Sequence, residues 1–157
     1  MEIIITKGKG TGLNKLSAFD NALYDAGIAN FNLIPLTSII PPASKVKVKR
    51  IDWNKIDFGN KLYVVMARAS QEVIGKEAWA GIGWVRDKKG HGLFAEHIGE
   101  SREDVLQLVK NSLGDMVKYR PEKYGQPKYV TSGIACQDHP VCAIVVAVYK
   151  SEGWEER

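Results

Sequence analysis

The chain of 157 residues has only two cysteines, Cys136 and Cys142, and three methionines. Two cysteines cannot make a disulfide framework, so a reducing cytoplasm is the expected compartment. No apolar run approaches the ~20 residues of a membrane-spanning helix, and no membrane partner is expected. The opening Met1-Glu2-Ile3-Ile4-Ile5-Thr6 lacks the basic flank of a secretion signal and reads as a strand. Repeats, low-complexity tracts and linkers are missing too, so one domain over residues 1–157 is expected. The net charge is +4. Its densest basic segment, Lys45-Val46-Lys47-Val48-Lys49-Arg50, alternates with valine, as a strand with one wet face does. Lysines there discourage edge-to-edge pairing. Aromatic residues do not interleave with these cations, which argues against a nucleic-acid partner.

What is present alternates between two periods. Leu16, Phe19, Leu23 and Ala26 recur at helical spacing and Gly27 stops them, which predicts a helix over about 14–26. The glycine-rich stretch before it, Lys7 to Asn14, reads as a loop. Strands are expected at 31–34, 45–51, 62–69, 78–85, 92–98, 128–135 and 141–149, the last almost wholly apolar and therefore central. Ser101 opens a second helix as its cap, with Glu103 and Asp104 in the first turn. Its buried stripe is expected to be Val105, Leu108, Val109, Leu113, Met116 and Val117. Two helices and six to eight strands make an α+β domain with helix-covered sheets.

The segment with the most chemistry is Asn32-Leu33-Ile34-Pro35-Leu36-Thr37-Ser38-Ile39-Ile40-Pro41-Pro42. Thr37-Ser38 is either a Ser/Thr turn before a proline-rich loop or a bond the chain cuts itself. In the second reading Ser38 Oγ attacks the preceding carbonyl, and elimination and hydrolysis leave a new N-terminal pyruvoyl group. That needs a restrained backbone, supplied here by prolines and β-branched neighbours, and a donor to the developing oxyanion, a role open to Asn32. Asp20, at the border of the helix's apolar face, is either a surface carboxylate or a grip for a guanidinium. Glu96 alternates with Phe94 and Ile98 on one strand face. It is either an edge glutamate reaching water or a desolvated carboxyl able to deliver a proton. Cys136, His139 and Cys142 form C-x2-H-x2-C without a fourth ligand, so buried thiols beside a turn are expected and no metal site. His91 and His97 have no evident partner. Gly8-Lys9-Gly10-Thr11-Gly12 does not fit a phosphate-binding loop.

Together these segments resemble the pyruvoyl-dependent arginine decarboxylase family. The resemblance rests on Leu16-Ser17-Ala18-Phe19-Asp20-Asn21-Ala22-Leu23, Ala26-Gly27-Ile28, Asn32-Leu33-Ile34, Thr37-Ser38-Ile39-Ile40-Pro41-Pro42 and Gly92-Leu93-Phe94-Ala95-Glu96. It spans about residues 2–149 and is most specific in the N-terminal block. It implies an αββα sandwich, cleaved between Thr37 and Ser38 into a β chain of residues 1–37 and an α chain of 38–157. Ser38 becomes the covalent pyruvoyl cofactor, with no metal and no PLP. The substrate amine condenses with that group as a Schiff base, and the carbonyls accept the electrons released as CO2 departs.

By the same resemblance Glu96 protonates the carbanion, Asn32 supports self-cleavage or orients groups around the pyruvoyl, and Asp20 binds the guanidinium. Leu16, Leu23 and Ile39 line the apolar part of the pocket. The protomers form a homo-oligomeric trimer with sites at subunit interfaces, and the product is agmatine. On this reading Ser38→Ala abolishes cleavage and turnover, while Glu96→Gln permits cleavage and slows turnover. Ala29 stands where the family pattern expects glycine, and the tail Gly153 to Arg157 carries no family signature. Two alternatives stand beside this one: the same mechanism on another amino acid such as histidine, and an uncleaved, non-catalytic binding protein.

Overall fold

The computed structural model describes residues 1–155; Glu156 and Arg157, the end of the tail, lie outside the described residues. The apolar run Val141 to Val148 forms the buried part of β9 (Val141–Glu152). Val141, Ala143, Val145 and Ala147 enter a core between two sheets, while Cys142, Ile144, Val146 and Val148 face a helix. A strand covered on both faces needs apolar residues at every position, which is why this one lacks alternation. Each valine sealed there contributes roughly 1.5–3 kcal/mol relative to exposure.

The first sheet has the order β2 (Asn32–Pro35), β5 (Lys61–Gln71), β9, β1 (Glu2–Thr11), β4 (Lys45–Val48). The second runs β3 (Ile39–Ile40), β7 (Gly92–Gly99), β6 (Glu77–Arg86), β8 (Lys128–Ala135). Helix α1 (Lys15–Asp25) packs on β1 and β9, and α2 (Arg102–Met116) packs on β6 and β7. The result is the expected αββα sandwich. Side-chain alternation on β1 sends Ile3 and Ile5 between the sheets and Ile4 toward α1.

Asn14 and Ser17 form a capping box at the start of α1. Ser101 caps α2 by accepting from the Asp104 amide at 3.1 Å, an arrangement that stabilises a helix by about 1 kcal/mol. Val105, Val109 and Leu113 are buried beneath α2, but Leu108, at the flank of that stripe, is 42% exposed. The basic segment is an edge strand, as its alternation implied. There Lys47 and Lys49 flank Glu2 at 2.7 and 2.9 Å and pull its carboxyl down to about 2.

The glycine-rich stretch departs from expectation. β1 continues through it to Thr11, antiparallel to β9. A Cβ on Gly8 would sit 2.2 Å from the Ala22 carbonyl oxygen, and one on Gly10 would sit 2.5 Å from the Ala22 nitrogen. Facing them are fully buried Ala18, Ala22 and Ala26. The glycines therefore let helix backbone approach strand backbone, rather than loosening the chain. Among the described residues no helix is long and apolar enough to cross a membrane.

Candidate active site

Between β2 and β3 the chain leaves one sheet and joins the other through Leu36, Thr37 and Ser38. Both ends of this crossover are anchored by backbone hydrogen bonds. The Leu36 amide donates to the Val64 carbonyl at 2.8 Å, extending the parallel pairing of β2 with β5. The Phe94 amide donates to the Ser38 carbonyl at 2.9 Å, just before Ile39 and Ile40 pair with Leu93 and Gly92. Thr37-Ser38 thus lies on a short bridge between sheets, with its flanks held by different ones.

Beyond Ser38 the hold continues. The Tyr149 hydroxyl, from β9, donates to the Ile39 carbonyl at 2.7 Å. Burial and the nearby Glu96 charge push this phenol up to about 12, so it remains a donor throughout the neutral range. The Arg86 guanidinium donates to the Pro41 carbonyl at 3.3 Å and the Gly90 carbonyl at 2.6 Å, tying the Pro-Pro brace to the β6–β7 turn.

Glu96 comes from β7. Phe94, two residues earlier on the same face, is fully buried, Glu96 is half-buried, and Ile98 is 50% exposed. The strand therefore runs from the core to its rim, and Glu96 sits where the two meet. The Ser38 hydroxyl donates to its carboxylate, with Oγ 2.9 and 2.8 Å from the two oxygens. A serine hydroxyl on a carboxylate has a place to send its proton when it attacks.

Glu96 also lines a cavity of about 430 Å³ with Phe19, Leu23, Phe31, Asn32, Leu36 and Arg68, among others. Three of the residues singled out in the sequence, Leu23, Asn32 and Glu96, thus share one cavity. The Asn32 amide donates to the Gly59 carbonyl at 2.7 Å. Arg68 stacks on the Phe19 ring, 3.5 Å from its centroid. The sequence reading missed Arg68; its one signal was a cation inside an otherwise apolar strand, Leu62 to Ala69.

Other residues do not line this cavity. Asp20 is exposed, Leu16 is 72% exposed on α1, and Ile39 is 49% exposed at the edge of the second sheet. The Ala29 amide is held by the Asn54 side chain, away from the cavity lining. Cys136 and Cys142 are buried free thiols, in the inter-sheet and α1-side cores respectively. Both unassigned histidines have partners: His91 Nδ1 lies 2.6 Å from Asp87, and His97 Nε2 lies 2.6 Å from the Ser112 hydroxyl.

A family model described as pyruvoyl-dependent arginine decarboxylase matches residues 2–153. The chain is 35% identical over 133 residues to pyruvoyl-dependent arginine decarboxylase 2 of Archaeoglobus fulgidus, covering 83% of this chain and 85% of that one. It is 40% identical over 120 residues to a protein of the same name from Thermoplasma volcanium, covering 74% and 66%. Identity to the Pyrococcus abyssi relative, also named pyruvoyl-dependent arginine decarboxylase, is 30% over 153 residues and 92% of each chain. By this extent of match the chain belongs to the pyruvoyl-dependent arginine decarboxylase family.

Proposed function

We propose that the chain decarboxylates L-arginine to agmatine and CO2, using a pyruvoyl group made from its own Ser38. The precursor is cut between Thr37 and Ser38 into chains of residues 1–37 and 38–157. The observation that carries this reading is the contact of the Ser38 hydroxyl with the Glu96 carboxylate on a crossover held at both ends. Ser38 Oγ attacks the Thr37 carbonyl carbon while its proton passes to Glu96. The Thr37–Ser38 C–N bond breaks, the Ser38 nitrogen takes up a proton, and an ester to Oγ remains. Loss of the Ser38 α-proton then expels the Thr37 carboxylate, and water displaces the nitrogen as ammonia.

The residues around position 38 fit a group formed there. The Phe94 amide keeps the residue 38 carbonyl on the sheet edge, and Tyr149 keeps its neighbour, once the bond to Thr37 is gone. The pyruvoyl group supplies a carbonyl electron sink for the pair left by CO2. Glu96, released from the serine hydroxyl, delivers a proton to the substrate α-carbon. Leu23 and its apolar neighbours exclude water from the cavity, and Asn32 orients groups at its rim. Asp20 grips the guanidinium with two parallel hydrogen bonds, and Leu16 and Ile39 cover the substrate's methylenes.

Asp20 and Leu16 on α1 and Ile39 at the β3 edge face solvent, which supports a homo-oligomer where one protomer's α1 meets another's β3 edge; the family resemblance makes it a trimer. Two free cysteines suit a reducing cytoplasm. The scheme calls on no metal and no PLP. Intact mass spectrometry before and after borohydride treatment with arginine tests it. Two fragments meeting at Thr37-Ser38, the larger carrying an arginine-derived adduct, are expected. A single unmodified full-length chain would overturn the reading.

A further inference from the structure

Self-cleavage needs a donor at the Thr37 carbonyl oxygen, where negative charge develops as Ser38 Oγ attacks. The side-chain amide of Asn32 donates elsewhere, to Gly59. A backbone group fills the place: the Ile39 amide donates to the Thr37 carbonyl at 2.8 Å. A bond from residue i+2 back to residue i closes a γ-turn around Ser38. Ser38 is not among the residues with positive φ, so this is the inverse γ-turn, the low-energy form. From the geometry we propose that the Ile39 N–H is the oxyanion donor of self-cleavage. The inference rests on the self-cleavage reading above and adds the group that stabilises its first step.

Three features support the assignment. The turn sets nucleophile and donor on the same peptide unit, with Oγ on Glu96 and the N–H on the carbonyl to be attacked. The turn is fixed from outside by the Leu36, Phe94 and Tyr149 hydrogen bonds, so the donor is oriented before any charge appears. Finally, the Ile39 amide points back at Thr37 instead of across to β7, whose Phe94 amide binds the Ser38 carbonyl. A fixed N–H needs no reorientation as the carbonyl becomes tetrahedral, and removing one such donor typically slows acyl transfer on the order of 10²-fold.

The test is a time course of cleavage, read by intact mass, on full-length chains made by cell-free translation. In one variant the Ile39 residue is its α-hydroxy acid, so the N–H becomes an ester oxygen. In a second, Phe94 is so replaced, which removes the other N–H near Ser38 and controls for a weakened contact at the Ser38 carbonyl. Cleavage of the first should slow about 10²-fold relative to the parent, and the second should slow far less. Equal rates for the first variant and the parent, or equal slowing of both variants, would overturn the proposal.

A second measurement does not depend on the variants folding. In full-length Ser38→Ala, a ¹³C label at the Thr37 carbonyl should absorb at lower infrared frequency than a label at an unbonded carbonyl. An unshifted band would also overturn the proposal. A parent chain that never cleaves at Thr37-Ser38 would instead overturn the self-cleavage reading itself, and this inference with it.

Discussion

The β2–β3 crossover and the outer face of α1 carry the two halves of the proposed chemistry, and they are built differently. At the crossover, Ser38 and Glu96 are 58 residues apart in sequence and in direct contact. The Ser38 and Ile39 carbonyls accept from Phe94 and Tyr149 there, and the Leu36 amide donates to Val64. On α1, Asp20 and Leu16 lie about one helical turn apart, are exposed, and take no part in the hydrogen bonds of the crossover. Bond-making chemistry needs atoms held within tenths of an ångström, which a single folded chain provides. Recognition of a long cationic side chain needs a carboxylate some distance from the reacting carbon, and in the proposed scheme exposed Asp20 supplies it.

The largest effect should come from Ser38→Ala, which leaves the crossover intact and removes the nucleophile. Mass spectrometry should find a full-length chain, and CO2 release from labelled arginine should fall to background. Glu96→Gln comes next. Turnover should drop roughly 10²–10⁴-fold, the usual contribution of a positioned proton donor. The sequence reading had cleavage survive this change. Direct contact with the Ser38 hydroxyl revises that: cleavage should also slow, although a once-only reaction can still reach completion.

Asp20→Asn should separate the two regions. A charge-assisted guanidinium contact is worth roughly 1.5–3 kcal/mol, so kcat/KM for arginine should fall about 10- to 100-fold, with cleavage unchanged. Refolding a mixture of Ser38→Ala and Asp20→Asn chains should then restore part of the activity, because one copy supplies the pyruvoyl group and the other the carboxylate. Complete absence of recovery would place both halves in one protomer.

The smallest effect concerns Tyr149. Its folded-state pKa of about 12 lies above the ordinary value of 10, so the unfolded chain loses this proton first as pH rises. Stability should therefore decline between about pH 10 and 12, and Tyr149→Phe should flatten the decline in thermal melts across that range.

Much of the layer structure was legible. Helical spacing at Leu16, Phe19, Leu23 and Ala26, the Ser101 cap, and the unbroken apolar run at 141–148 each map onto an element, although on α1 Leu16 is exposed and Ala18 and Ala22 take the buried face. Periodicity of that kind reflects which face is buried, and burial is a local property of the pattern. The glycine-rich segment was misread because glycine marks both loops and close approach; only the position of Ala22 tells which applies at Gly8 and Gly10. The two-residue β3 carries too few residues to show a period at all. Arg68 was invisible as a cavity residue because it takes a partner strand, a helix and Glu96 to make the cavity.

The sequence by itself determined that Thr37-Ser38 sits between extended, proline-braced segments, that Glu96 alternates with Phe94, and that the family resemblance runs through Asp20, Ser38 and Glu96. Only the tertiary structure decided that Ser38 meets Glu96, that the Ile39 amide turns back onto Thr37, and that Asn32 is engaged by Gly59. The physical reason is range. Hydrophobic period and turn chemistry act over a few residues, whereas a serine and a carboxylate 58 residues apart meet only because two sheets pack face to face and one short crossover joins their edge strands.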